Sequence, residues 1–225
     1  MFSFGLVGVW LWICLAAAVI PAIVLLIFVY RQDRIEKEPA DLLLKLVGFG
    51  ILSAVLAAVA ETVGDLVLDM FVDYNLWIYP VLDAFIVVAI AEEGFKYLLM
   101  KTATWKNPAF NYRFDAIVYA VFTSLGFAAF ENIFYVLSYG LGTAFIRAFI
   151  SVPGHFAFAV VMGFFYSRAK VCEQKNDEKG CELNKLLAVV VPVLCHGFFD
   201  ALLMSDNEYT GAIFLVFIVI FYVFV

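Results

Sequence analysis

The sequence predicts an all-α membrane protein, a polytopic bundle of about seven transmembrane helices with the N-terminus outside and the C-terminus in the cytosol. Three observations lead there. The 225 residues are 65% hydrophobic and 15% charged, with a mean hydropathy of +1.00, where a soluble domain is about 45–50% apolar. Seven segments approach the roughly 20 apolar residues that a helix needs to cross a bilayer. Of the 14 Lys and Arg, 12 fall on alternate loops, and basic loops face the cytosol. With a net charge of −6 and no basic face, nucleic acid is excluded as a partner. Residues 1–225 form a single integral membrane domain without internal repeats, expected in a bacterial or archaeal plasma membrane and surrounded by its lipid.

The spans follow in order. The first, near 6–30, has no basic region ahead of it, and Arg31 and Arg34 follow it, so it is a retained helix and not a cleaved signal. The second, near 42–63, leads into an acidic loop with Asp65, Asp69 and Asp73. The third, near 77–100, carries charges within its apolar run. The fourth, near 114–139, turns tightly through Tyr139–Thr143 into the fifth, near 143–167. The polar stretch Arg168–Lys185 reads as a cytosolic loop, followed by the sixth span near 186–204. Asp206 and Glu208 mark the next loop before a short seventh span at 210–225, which ends abruptly at Val225. Cys172 and Cys181 fall in the 168–185 loop, where thiols stay reduced, and two cysteines are too few for a structural zinc site.

Four spans carry ionisable residues at membrane depth, where each charge costs roughly 2.5–3.5 kcal/mol on insertion scales. The third holds Asp83, Glu92, Glu93 and Lys96. Lys96 lies four residues from Glu92 and three from Glu93, so it shares a helix face with both. It offsets one carboxylate, and burial beside a like charge favours a proton on the other, as a general base requires. The fourth contains Glu131 and Asn132, with Gly126, Ala128 and Ala129 allowing a neighbouring helix to approach closely. Asp115, at its start, reads as a helix-end acid. In the fifth, Ser151-Val-Pro-Gly-His155 predicts a mid-span break at Pro153-Gly154, beside His155. In the sixth, His196 and Asp200 are four apart, so the acid can orient the imidazole. Pro192 is expected to kink that helix.

The chain has two histidines, and both fall inside spans. A lone polar residue in a membrane helix is usually structural glue. Glu92, Glu93, Glu131, His155, His196 and Asp200 together predict a shared wet cavity. Counting from the predicted helix ends places Glu92 and Glu93 in the inner half, His155 near the middle, and Glu131, His196 and Asp200 in the outer half. Two carboxylates and two histidines suit activation of water for amide hydrolysis, with a glutamate taking the proton and histidines serving the oxyanion and the leaving amine. No Ser or Cys nucleophile is needed. A cofactor-free site is the first expectation. A zinc site from His155, His196 and Glu93 ranks second, because the HExxH signature is absent.

At these residues the chain resembles the PrsW family of intramembrane proteases. The matching pieces are Glu-Glu-Gly-Phe-Lys at 92–96, Phe-Asp-Ala-Ile-Val-Tyr at 114–119, Gly-Phe-Ala-Ala-Phe-Glu-Asn at 126–132, His155, and His-Gly-Phe-Phe-Asp at 196–200. They span a motif-bearing core of about 77–204. The family is similar in turn to the type II CAAX prenyl endopeptidases and, distantly, to the scaffold subunit of gamma-secretase. The resemblance implies a membrane protease that makes the first, extracytoplasmic-side cut in a single-pass anti-sigma factor, in a stress response. It implies Glu92, Glu93, Glu131, His155 and His196 as catalytic residues, with Lys96, Asn132 and Asp200 in support. A non-catalytic scaffold is the alternative, in which mutants lose stability or partner binding. A proton-coupled carrier is weakened by the lack of inverted repeats.

Overall fold

The computed structural model describes residues 2–205 and 207–225, with side chains from Gly8 onward. Asp206, one of the acids in the loop-charge pattern, lies outside the described residues. The described residues form helices and short turns without a strand: α1 (Phe2–Gln32), α2 (Ala40–Phe71), α3 (Tyr79–Leu82), a π-helical stretch (Asp83–Ala89), α4 (Ile90–Thr104), α5 (Asp115–Tyr139), α6 (Leu141–Phe149), α7 (Ser151–Gln174), α8 (Glu178–Met204) and α9 (Thr210–Phe224).

Five helical segments are long and apolar enough to cross a membrane: Gly8–Gln32, Ala40–Phe71, Asp115–Tyr139, Leu141–Gln174 and Glu178–Met204. The two other expected spans differ for identifiable reasons. Residues 79–104 carry Asp83, Glu92, Glu93, Lys96 and Lys101 and change helix type along their length. α9 has only 15 residues.

α5 is the central helix, packed against α1, α2, α4 and α7. Of its apolar stretch 67% is buried, against 22% for α1 at the periphery. Small residues allow this. A Cβ on Gly126 would stand 2.5 Å from the Val47 carbonyl oxygen, and one on Gly50 would stand 2.0 Å from that of Thr123. The backbones of α2 and α5 therefore touch, as the small residues around Gly126 predicted. Large apolar side chains such as Trp12, Leu44, Phe145 and Val219 point outward, which suits a lipid environment.

Several boundaries depart from expectation. α2 runs to Phe71, so Asp65 and Asp69 are helical and not in a loop. The polar stretch 168–185 is mostly the ends of α7 and α8, leaving only Lys175–Asp177 as the turn. Composition alone made it look like a loop, because helix ends beyond a membrane carry charge. Asp177 caps α8, its side chain accepting from the Gly180 N–H at 2.9 Å. The break in the fifth segment comes at Ile150, ahead of Pro153. Pro153 falls in the first turn of α7, where the backbone N–H groups lack intrahelical partners, so a residue without one costs nothing. Pro192 lies inside α8, which continues through it.

Candidate functional site

Seven elements, α2, the π-helical stretch and α4 to α8, converge on one cavity. It has a volume of about 330 Å³ and is lined by Glu61, Glu92, Glu131, Tyr135, Arg147, Ser151, His155, His196, Asp200 and apolar neighbours. The helical segment entering it is unusual: the π-helical stretch Asp83–Ala89 runs directly into α4, which opens with Glu92 and Glu93 in its first turn. Such widened turns recur at functional sites because they re-aim the residues that follow. Gly197 of α8 lets this stretch come close, since a Cβ there would stand 2.4 Å from the Phe85 ring.

Lys96 organises the α4 side. Its Nζ donates to Glu92 Oε2 at 2.9 Å and to Glu93 Oε1 at 2.8 Å, the two local pairs that the spacing predicted. It also approaches His155 Nδ1 at 3.3 Å and stands 3.9 Å from the centre of the Phe127 ring. An ammonium has no lone pair, so Nδ1 accepts this bond and His155 carries its proton on Nε2. That Nε2 donates to Glu131 Oε2 at 3.1 Å. The Ser124 hydroxyl donates to the His155 carbonyl at 2.9 Å, fixing α7 against α5 at this level.

His196 lies between two acids. Its Nδ1 meets Glu93 Oε1 at 3.0 Å and its Nε2 meets Asp200 Oδ2 at 3.1 Å. A neutral imidazole has one N–H and one lone pair, so satisfying both contacts takes one extra proton, on the ring or on an acid. The group is thus arranged to hold one proton more than a neutral imidazole between two carboxylates. Depth counting had put Glu93 and His196 in opposite membrane halves. They touch at 3.0 Å, because residues 79–104 change helix type along their length and are not the regular α-helix that the counting assumed.

Arg147, on the short α6, closes the other wall. It donates to Glu131 Oε2 at 2.7 Å and to Asn132 Oδ1, and it covers the Tyr135 ring. The Asn132 amide donates to the Ala18 carbonyl at 3.2 Å, tying α1 to the same assembly. The structure thus brings together all eight residues singled out from the sequence: Glu92, Glu93, Lys96, Glu131, Asn132, His155, His196 and Asp200. Of the adjacent glutamates, Glu92 lines the cavity, whereas Glu93 is 0% exposed and lies behind it.

Sequence reasoning missed Glu61 and Arg147. Glu61 was not singled out: it lies two residues before the end at 63 assigned to the second span, whereas α2 runs on to Phe71. Arg147 looked like a loop charge, since α6 is too short to stand out as a helix of its own.

The donor atoms of Glu92, His155 and His196 lie within 4.8 Å of one another. This is the set that could hold a metal ion, with Glu92 in the place anticipated for Glu93. Both histidines have Nε2 tied to a carboxylate and Nδ1 turned toward the α4 charges, the outer-partner arrangement typical of metal-binding histidines.

Residues 38–225 match the model of the family described as PrsW family intramembrane metalloprotease. Protease PrsW of Clostridioides difficile (strain 630) is 32% identical over 209 residues, covering 90% of this chain and 84% of that protein. The proteins of the same name from Halalkalibacterium halodurans and Bacillus subtilis (strain 168) are 31% and 29% identical over 195 and 201 residues, each covering 87% of this chain and 85% and 84% of their own. No solved structure matches the fold.

Proposed function

The chain belongs to the PrsW family of intramembrane proteases, and from that premise we propose that it cuts a peptide bond of a single-pass membrane protein, with Glu92 as the carboxylate that activates water. One observation carries this assignment within the glutamate pair: Glu92 opens onto the cavity and Glu93 does not. Glu92 takes a proton as the water oxygen attacks the scissile carbonyl. Arg147, whose guanidinium keeps N–H groups beyond those held by Glu131 and Asn132, supplies donors near the developing oxyanion, and His155, its one N–H held by Glu131, positions that wall. The C–N bond then breaks, and the leaving amine takes the extra proton held among His196, Glu93 and Asp200. The products are a carboxylate and an amine.

The donor chemistry of Glu92, His155 and His196 fits a zinc-type ion. When bound, such an ion lowers the pKa of a water and polarises a carbonyl. Lys96 favours a second, metal-free reading, because its ammonium already neutralises Glu92 and Glu93 and contacts His155. Purified protein in detergent, with a single-pass substrate and a chelator, separates the two. Loss of cleavage restored by zinc establishes the ion; cleavage that survives chelator leaves the carboxylates alone. Full cleavage by Glu92→Gln sinks the proposed base under either reading.

Seven spans with the N-terminus outside the plasma membrane remain our reading, supported by the loop charges. In that orientation the cavity lies nearer the outer face, because Tyr135, Arg147, Leu203 and Met204 are close to the α5–α6 and α8–α9 turns. This agrees with an extracytoplasmic-side cut. The substrate class, a single-pass anti-sigma factor cut first by this enzyme, follows from the family resemblance. Reporter fusions to the turns test the topology. Accumulation of the intact anti-sigma factor in a deletion strain tests the substrate.

A further inference from the structure

At the opposite end of the bundle from the catalytic cavity, a crevice opens between the start of α5 and the end of α7. It has two lobes of about 570 and 590 Å³ that share Arg113, Phe114, Ser167, Val171 and Lys175. Arg168 and Ile117 line one of them as well. The crevice exists because α5 and α7 touch just above it: a Cβ on Gly163 would stand 2.6 Å from Ile117 Cα. Below that contact the helices part.

Its chemistry is divided. Phe114, Ile117 and Phe164 form an apolar floor that continues onto the lipid-facing surface of α7, where Phe164 is 49% exposed. Arg113, Arg168 and Lys175 stand at its mouth. Among the described residues, none of the three has a carboxylate within ion-pair distance, whereas Lys170 and Lys185 beside them pair with Glu173 and Glu182. Arg168 instead lies over the Phe164 ring, 5.7 Å from its centre. The one acid of the lining, Asp177, is engaged in capping α8. A cluster of free cations over an apolar slot, at the end of two membrane-length helices, is complementary to an anionic headgroup with its chains attached.

We propose that this crevice binds an anionic phospholipid, its phosphate held between Arg113, Arg168 and Lys175 and an acyl chain laid along Phe114, Ile117 and Phe164. A bound lipid bridges α5 and α7, the helices that carry Glu131 and His155. Each cation near a membrane surface contributes about fivefold in affinity for anionic lipid, so removing two weakens binding about 25-fold. High salt weakens it further by screening.

The test uses the full chain in nanodiscs. Wild type is expected to gain thermal stability when phosphatidylglycerol is added to phosphatidylcholine discs, and to carry phosphatidylglycerol in native mass spectrometry after delipidation. The double variant R113Q/R168Q is expected to keep the wild-type melting temperature in phosphatidylcholine and to lose both responses. An equal response in wild type and variant overturns the site. The same gain from inorganic phosphate in phosphatidylcholine discs overturns the lipid assignment in favour of a free anion. Should the double variant fail to fold, Lys175→Gln, on the exposed turn, is read for the fivefold loss, and its absence is equally fatal.

Discussion

Glu92→Gln and Glu93→Gln are nearly the same edit, one residue apart, and are expected to fail differently. Glu93 has no exposed surface; its Oε1 accepts from Lys96 at 2.8 Å and contacts His196 at 3.0 Å, while its Oε2 is buried without a partner. An amide there turns two bonds with a charged carboxylate, each worth about 1.5–3 kcal/mol, into weaker neutral ones, and places an unpaired NH₂ where Oε2 was, at about 1–3 kcal/mol. The sum is about 2–5 kcal/mol, a melting-temperature drop of roughly 10 °C for a chain of this length. Glu92 makes one such bond, to Lys96, and otherwise faces the cavity, so its amide costs about 1–2 kcal/mol of stability. Its loss as a base costs about 10²–10⁴ in rate, or roughly 3–5 kcal/mol of barrier. The assay pairs gel cleavage of a single-pass reporter with thermal stability in the same detergent. Glu92→Gln should be folded and inactive, and Glu93→Gln should be distinctly less stable. A stable, inactive Glu93→Gln beside an active Glu92→Gln would refute the division of roles.

Three further outcomes follow from contacts elsewhere. Arg147→Gln releases Glu131 and unfastens α6, and cleavage should fall about a hundredfold through misplacement of the cavity wall, with the fold retained by size-exclusion chromatography. Gly126→Ala forces a Cβ to within 2.5 Å of the Val47 carbonyl oxygen and should cost about 1–3 kcal/mol of stability, while Gly48→Ala, with nothing within 4 Å, should be neutral or mildly stabilising. Glu38, in the turn before α2, accepts from the Tyr119 hydroxyl at 2.6 Å, and burial raises its pKa to about 7. Its folded pKa exceeds the unfolded one, so its contribution is complete below about pH 4.5 and is lost as pH rises through 7. Melting temperature should decline between pH 5 and 8, and Glu38→Gln should flatten that decline.

What could be read from the sequence divides by distance along the chain. Pairs one helical turn apart were legible, because helix geometry puts residues i and i+4 side by side: Glu92–Lys96 at 2.9 Å and His196–Asp200 at 3.1 Å. Contacts between helices were not. Nothing in spacing says that His155 reaches Glu131 and Lys96, or that His196 reaches Glu93, since these depend on helix rotation and level. The count of ionisable groups at membrane depth still predicted that they would meet, because each alone would be too costly in lipid. Helix ends were read poorly for the converse reason. α2, α7 and α8 run beyond their apolar stretches into polar residues, where hydropathy has no signal but helical hydrogen bonding continues. Glu61, near the end assigned to the second span, was not singled out.

The charge balance of the cavity gives Lys96 a role that its position as a helix neighbour did not suggest. Glu61, Glu92, Glu131 and Asp200 line the cavity and Glu93 backs it, while Lys96 and Arg147 are the fixed cations against them. Removing one partner from a buried ion pair typically costs 3–5 kcal/mol, because the charge left behind is uncompensated, and Lys96 serves two carboxylates at once. The remaining negative charge must be met by protons on the acids and imidazoles or by a bound cation. Either answer suits the hydrolysis proposed for this site. Extra protons supply the leaving amine, and a cation would engage Glu92, His155 and His196, the residues whose donor atoms already converge. Under the proposed hydrolysis, the excess of five acids that would destabilise a structural cluster is what a water-activating site uses.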